Sequence, residues 1–289
     1  MADLESIINR KVENDTEWKE QRQAERENTA EMRDAGIVEI TSHPETYLQY
    51  LEMQGSNPTY SAGNIALVLF QNPEAMQVGT QDRWKSLGRT VLDTEKKNGV
   101  KIFARANFPA KGYTISDAYD VSQTQGRAVR EVHLHNDSKE MESALTTLLN
   151  YSPAEIVVSR ELDGPALYDS SKMTLTINPD FDDEVAFPTI AAEIAQARFH
   201  AKGANAFYDR AESTLDAESV SYLLCRRFGV QRDLPDASHI ATLYEGWESS
   251  ERSEGLDRVQ NTAKQIGGSI ERSISPQQRG RLPVTRPAR

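Results

Sequence analysis

IAAEIAQARFH, residues 190–200, is the stretch on which the reading of the second half of the chain turns. A zinc-peptidase helix reads H-E-x-x-H, because imidazoles four residues apart share a helical face and the carboxylate between them can take a proton from metal-bound water. Here the three positions are Ala192, Glu193 and Gln196. Alanine offers no donor atom, and a neutral amide is a poor zinc ligand beside imidazole. The stretch therefore predicts a helix that keeps the position of the base without the metal. His200, one turn beyond Gln196, leaves a second reading open, in which it joins Glu193 and Glu218, or less readily Asp216, in an atypical metal-dependent protease site. Against that stand ordinary roles: His200 at a helix C-terminus, Glu193 paired with Arg198 or Arg210, and Glu218 in a structural ion pair.

Working outward, SKEMESALTTLLNY reads as a helix, PAEIVVSR as a strand, and ALYDSSKMTLTINP as a hairpin turning near Asp169 to Lys172. Helices over roughly 184–201 and 212–228 follow, the second stopped by Gly229. A strand pair, a helix with Glu193 and a helix with DAES is the order of a minimal zincin. On the N-terminal side, residues 3–35 begin with Leu4, Ile7, Ile8 and Val12 at helical spacing and then become almost wholly charged. That segment predicts an exposed helical arm with a solvated face, stopped at Gly36. Between them, Pro44 opens one helix, SAGNIALVLFQ is a more buried one, and GVKIFARANF and YTISDAYDVS are short strands separated by the turn-forming PAKG. Helices followed by short strands make the fold class α+β. The division expected is a helical arm over 1–40, a small α+β unit over 41–132, a zincin-like unit over 133–235, and polar helical segments over 236–289 ending in a disordered Arg-rich tail.

The 289 residues carry a net charge of −11, with 27% charged and 38% hydrophobic residues. No apolar run approaches the roughly 20 residues of a membrane span, and MADLESIINR lacks a signal peptide's basic start and apolar centre, so a cytoplasmic protein with no membrane partner is expected. The single cysteine, Cys225, lies in the apolar run VSYLLCRRFGV and reads as a packing residue. The charge is unevenly placed. Arg83, Lys85, Arg89, Lys96, Lys97, Lys101 and Arg105 face only Asp93 and Glu95 over 83–105, and the last eighteen residues hold five arginines and no acid. A polarised chain of this kind can take a phosphate backbone at one place while its acidic remainder repels it elsewhere. Single-stranded nucleic acid needs cations along phosphates and flat side chains under bases. QDRWKSLGR supplies both, with Trp84 between Arg83 and Lys85 and with Arg89 following, and Tyr60 and Asn64 lie just upstream. The competing reading is that Trp84 is a core anchor.

YSAGNIALVLFQNPEA, RWKSLGR, GVKIFAR and AYDVSQTQG, in that order, resemble the N-terminal domain of the ArdC antirestriction family. The similarity continues through LTTLLNY, the 190–200 helix, ESVSYLLCRRFGV and LDRVQNTAKQIGGSIERSI, an order that resembles the LtrC-like proteins of Gram-positive mobile elements. The resemblance spans roughly residues 40–275 and implies a single-stranded-DNA-binding domain followed by a zincin-like metallopeptidase domain. It assigns Tyr60, Asn64, Trp84, Lys85 and Arg89 to the DNA-binding domain. The chain departs from the family twice: LDTEKKNGVK, with acids at Asp93 and Glu95, replaces the family's basic turn, and the zinc ligands are gone. The expected function is that of a single-stranded-DNA-binding accessory or antirestriction protein of a conjugative element, without enzymatic activity and without zinc or another cofactor. Its expected partners are single-stranded DNA and proteins of conjugation or restriction. An acidic body that mimics DNA and blocks a restriction enzyme is a third reading beside the protease.

Overall fold

The last helix of this α+β protein, 26 residues long and expected from the sequence as a polar helical segment, lays one apolar face into the core. A computed structural model describes residues 3–106, 112–129, 131–202 and 208–275. The element order is α1 (Leu4–Ser42), α2 (Pro44–Ser56), α3 (Ala62–Gln71), β1 (Val78–Thr80), α4 (Gln81–Ser86), β2 (Arg89–Val91), β3 (Val100–Arg105), β4 (Tyr113–Asp120), β5 (Thr124–Gly126), α5 (Lys139–Leu149), β6 (Glu155–Val158), β7 (Ala166–Asp169), β8 (Thr174–Ile177), α6 (Asp183–Lys202), α7 (Arg210–Phe228), α8 (Ile240–Leu243) and α9 (Ser249–Ile274). In α9, Leu256, Val259, Ala263, Ile266 and Ile270 recur at helical spacing and are buried against α5 and α7. The Arg-rich tail beyond residue 275 and most of the PAKG turn lie outside the described residues.

Helix starts follow capping chemistry. Ser61 and Ser138 accept the backbone N–H of Asn64 and Met141, satisfying donors that a first turn leaves unpaired, and Pro44 stands at the head of α2. α7 ends at Gly229 with φ of 64°, a left-handed cap at which a Cβ would collide with His133. Gly36 does not stop α1. The helix runs six residues further, and Gly36 is buried where α1 crosses α3, with a Cβ placed only 2.9 Å from the Ala66 carbonyl oxygen. The glycine there permits a close helix crossing rather than a turn.

The N-terminal sheet has the order β1-β4-β3, all antiparallel, so β3 is an edge. Helix α3 closes that edge with two side-chain amides. Asn64 exchanges a pair of hydrogen bonds with the backbone of Phe103 (2.8 and 2.9 Å), and Gln71 does the same with Lys101 (2.9 and 2.8 Å). Strand residues two apart carry backbone groups toward the same edge, so two amides two helical turns apart replace a fourth strand. β2 and β5 pair antiparallel as a two-stranded sheet, and a third sheet has the order β6-β8-β7, parallel then antiparallel, with α6 packed over β7 and β8. A continuous buried core joins α1, α2 and α3 to α5, α6, α7 and α9, including Ile37, Tyr47, Phe187, Val220 and Ile266. Cys225 belongs to it, and burial pushes its thiol up to about 12, consistent with a packing role.

Candidate functional site

Ala192, Glu193 and Gln196 are buried on α6, with Glu193 turned to β7 and both Glu193 and Gln196 to the start of α7. The Glu193 carboxylate is gripped by Arg210, the first residue of α7, through two hydrogen bonds of 3.0 Å (Nη1 to Oε2) and 2.6 Å (Nη2 to Oε1). It also accepts the Tyr168 backbone N–H at 2.8 Å, while Arg210 donates to the Tyr168 carbonyl at 3.2 Å. The ion pair thereby satisfies both outward backbone groups of Tyr168, as another strand would. Bidentate guanidinium–carboxylate pairing is the strong, orienting form of this contact.

The neighbouring positions are committed in the same way. Gln196 accepts from the Tyr208 hydroxyl at 2.8 Å and turns its amide N–H groups toward the Arg210 carbonyl and the Thr214 hydroxyl. His200 does not serve as a helix C-cap. Its Nδ1 is 2.6 Å from the Tyr168 hydroxyl, and its ring stacks on Tyr208 with centroids 4.4 Å apart. Burial pushes the Tyr168 and Tyr208 phenols up, so both stay neutral hydrogen-bonding groups near neutral pH. On α7, Asp216 and Glu218 are two residues apart and therefore point to nearly opposite sides. Asp216 pairs with Arg258 of α9, and Glu218 with Arg232. The arrangement considered for a metal, Glu193 with His200 and Glu218, thus has its two carboxylates occupied by different arginines. Among the described residues, no group of three His, Cys, Asp or Glu side chains converges on one point. This donor set does not fit zinc: one imidazole, already bonded and stacked, and two carboxylates, each already paired with an arginine.

The cation-rich segment divides into fixed and free residues. Trp84 is only 2% exposed; its Nε1 donates to the Tyr119 carbonyl at 2.9 Å, and it packs with Val91 and Tyr119 in a small separate core. The stacking role assigned to Trp84 is therefore corrected to an anchoring one, since a base has no open ring face to meet. Arg89 is half-buried and its guanidinium is spent within the chain, donating to Thr124 Oγ1 and to the carbonyls of Val121, Thr124 and Arg127. Lys96 pairs with Asp93, and Lys101 with Glu25 and Asp117. Asn64 is spent on β3, and Tyr60 is half-buried beside Arg83 and Trp84 in a small cleft. Arg83, Lys85 and Lys97 are exposed and make no ion pair among the described residues. Tyr60, Arg83 and Trp84 are thus brought together, whereas Lys96 and Lys97 lie in the turn before β3 and Lys101 on β3 itself.

The sequence reading passed over part of the arm. Arg22 and Arg26 of α1, taken as a solvated face, reach across to β4, Arg22 to the Thr114 hydroxyl at 3.0 Å and Arg26 to the Tyr113 carbonyl at 2.9 Å. The signal was a stripe: Trp18, Arg22 and Arg26 at intervals of four, then Arg33, all on one helical face.

No protein-family model matches the chain. It is 21% identical to an uncharacterized protein of Bacillus anthracis over an alignment of 318 positions, which takes in 89% of this chain and 53% of that one. The chain thus spans about half the length of the curated relative it matches. Among solved structures, the antirestriction protein ArdC of plasmid R388 is similar in its metal-free form (TM-score 0.44, 16% identity) and its Mn(II)-bound form (TM-score 0.45, 17% identity). The match takes in 75% of this chain and 86% and 85% of the two ArdC chains, respectively.

Proposed function

We propose that this chain is a non-enzymatic single-stranded-DNA-binding protein of a conjugative plasmid or transposon, acting to shield entering DNA from restriction. The observation that supports binding is the exposure of Arg83, Lys85 and Lys97 without acid partners among the described residues, in a chain whose net charge is −11. Asp93, Glu25 and Asp117 are taken up by Lys96 and Lys101, whereas no carboxylate of the described residues lies within ion-pair distance of these three, which leaves them open to phosphates. The ordered motifs YSAGN, RWKSLGR and DVSQTQG support the antirestriction context by resemblance. The zincin-like half acts as scaffold in this reading, because the residue that would be its base is neutralised by Arg210.

The test is a mobility shift of the full chain with a labelled single-stranded oligonucleotide and with the duplex of the same sequence, at low salt. Retention of the single strand in preference to the duplex is expected, and it should weaken when Arg83, Lys85 and Lys97 are changed together to Gln. Absence of any retained single strand at micromolar protein overturns the proposal. For the catalytic half, elemental analysis of purified protein is expected to find no stoichiometric zinc; zinc that disappears in Glu218→Ala would restore the protease.

A further inference from the structure

We infer that unpaired bases are held in the groove between α1 and the β3–β4 strands, with Trp18, Tyr113 and Phe103 as its flat surfaces and Arg22 and Arg26 as its cations. The inference rests on the nucleic-acid reading above and adds a base-stacking contact separate from Arg83, Lys85 and Lys97, none of which lines this groove. Two clefts form the groove. The outer one, about 390 Å³, runs between Trp18, Lys19 and Arg22 of α1 and Tyr113 and Thr114 of β4. The inner one, about 330 Å³, is walled by Arg33, Asn64, Phe103 and Asp257. Arg26 and Tyr113 line both, so the two are continuous. Their sizes lie at the lower end of the roughly 300–1,000 Å³ typical of small-molecule sites, enough for a flat ring.

The chemistry of the walls is that of a stacking site. Trp18 and Tyr113 are 56% and 58% exposed, while Trp84 and most other large aromatics of the chain are buried or half-buried. Arg22 lies 5.0 Å from the Trp18 ring centre, and Arg26 and Arg33 lie 5.9 and 5.7 Å from that of Phe103. Aromatic faces and guanidinium planes are the two side-chain surfaces on which splayed bases stack. Arg22 and Arg26 bond only uncharged groups of β4 among the described residues, whereas the nearby acids Glu25 and Asp34 are engaged by Lys101 and Arg33. The groove is also polarised along its length. Asp257, which accepts the Ala62 N–H, would repel a phosphate from the inner cleft but can accept from a base's amino group. Lys19 and Arg22 at the outer end suit phosphates. A strand would therefore pass outside with a base turned inward.

The test uses intrinsic fluorescence of the full chain titrated with oligo-dT. Of the three tryptophans, Trp84 is buried, Trp18 lines the groove and Trp247 lies outside it. Quenching is expected in the native chain and is expected to vanish in Trp18→Phe, while affinity measured by anisotropy stays within about threefold because a phenyl ring still stacks. Trp18→Ala with Tyr113→Ala is expected to weaken binding at least about tenfold, at an unchanged melting temperature since both side chains are exposed. Native-like affinity in that double variant, or quenching that survives Trp18→Phe, overturns the inference and leaves the nucleic-acid reading intact. Displacement of the oligonucleotide by poly-aspartate as readily as by unlabelled single strand overturns it too, since the groove would then be a general anion surface. A native chain that binds no oligonucleotide removes the reading on which the inference stands.

Discussion

Arg210→Ala separates a guanidinium that neutralises a buried carboxylate from one that decorates the surface. In the native chain Glu193 retains only 11% of its side-chain exposure and is neutralised by two charge-assisted bonds from Arg210, itself 42% exposed. Breaking a fully buried pair by removing one partner costs about 3–5 kcal/mol; because Arg210 is partly solvated and water can enter where it stood, about 2–3 kcal/mol is expected here. At about 2–4 °C per kcal/mol for a domain of this size, the melting temperature should fall by about 4–12 °C. Glu193→Gln should cost less, about 1 kcal/mol, since Arg210 can turn to water and the amide still accepts a bond. The double variant should then show a coupling of about 1–2 kcal/mol in a thermal or urea unfolding cycle. Adding zinc to Arg210→Ala should not raise its melting temperature, although a micromolar site would add about 2.7 kcal/mol at a hundredfold excess over its dissociation constant. A neutral Arg210→Ala, or one stabilised by zinc, refutes the argument.

Other consequences concern the N-terminal half. Trp84→Phe removes the bond to Tyr119 and some packing, so it should lower stability by about 1–3 kcal/mol while leaving oligonucleotide affinity unchanged well below the melting transition; a folded variant that no longer binds would restore Trp84 to the interface. Gly36→Ala, ordinarily favourable by about 1 kcal/mol in a helix interior, should instead lower the melting temperature because its Cβ meets the Ala66 carbonyl, and a raised one would contradict the close crossing. For Asp120, burial pulls the carboxyl up, but hydrogen bonds from Ser122, Met76 and Gln77 outweigh it and hold it below the usual range. A lowered carboxylate contributes stability that is present above about 3.8 and lost as pH falls through its folded value, so the acid limb of unfolding should be shallower in Asp120→Asn; identical limbs would count against it.

The longer helices and the strands β3, β4, β6, β7 and β8 were legible because local signals and the final contacts agree: Ser61, Ser138, Pro44 and Gly229 stand where their caps require, whereas the three-residue strands β1, β2 and β5 are too short to show a period. Gly36 misled because a glycine that ends a helix and one that lets another helix approach look alike without the partner. Trp84 misled for the same reason, since flanking cations say nothing of which way an indole points. Around Glu193, the absence of imidazoles at Ala192 and Gln196 could be read directly, and Arg210 was one of two partners considered for Glu193. That Arg210 also completes the β7 backbone at Tyr168 depends on contacts 42 residues apart in sequence, which no local pattern encodes. The stripe of Trp18, Arg22 and Arg26 was visible as spacing, but its meaning depended on β4 lying beneath it.

The most direct measurement is an anisotropy titration of a labelled single strand and its duplex across a range of salt concentrations. The account predicts that the single strand binds more tightly, with log affinity falling against log salt at a slope of about −2 to −3, as three or four cations each displace a counterion. Equal affinity for both forms, or binding insensitive to salt, would contradict it.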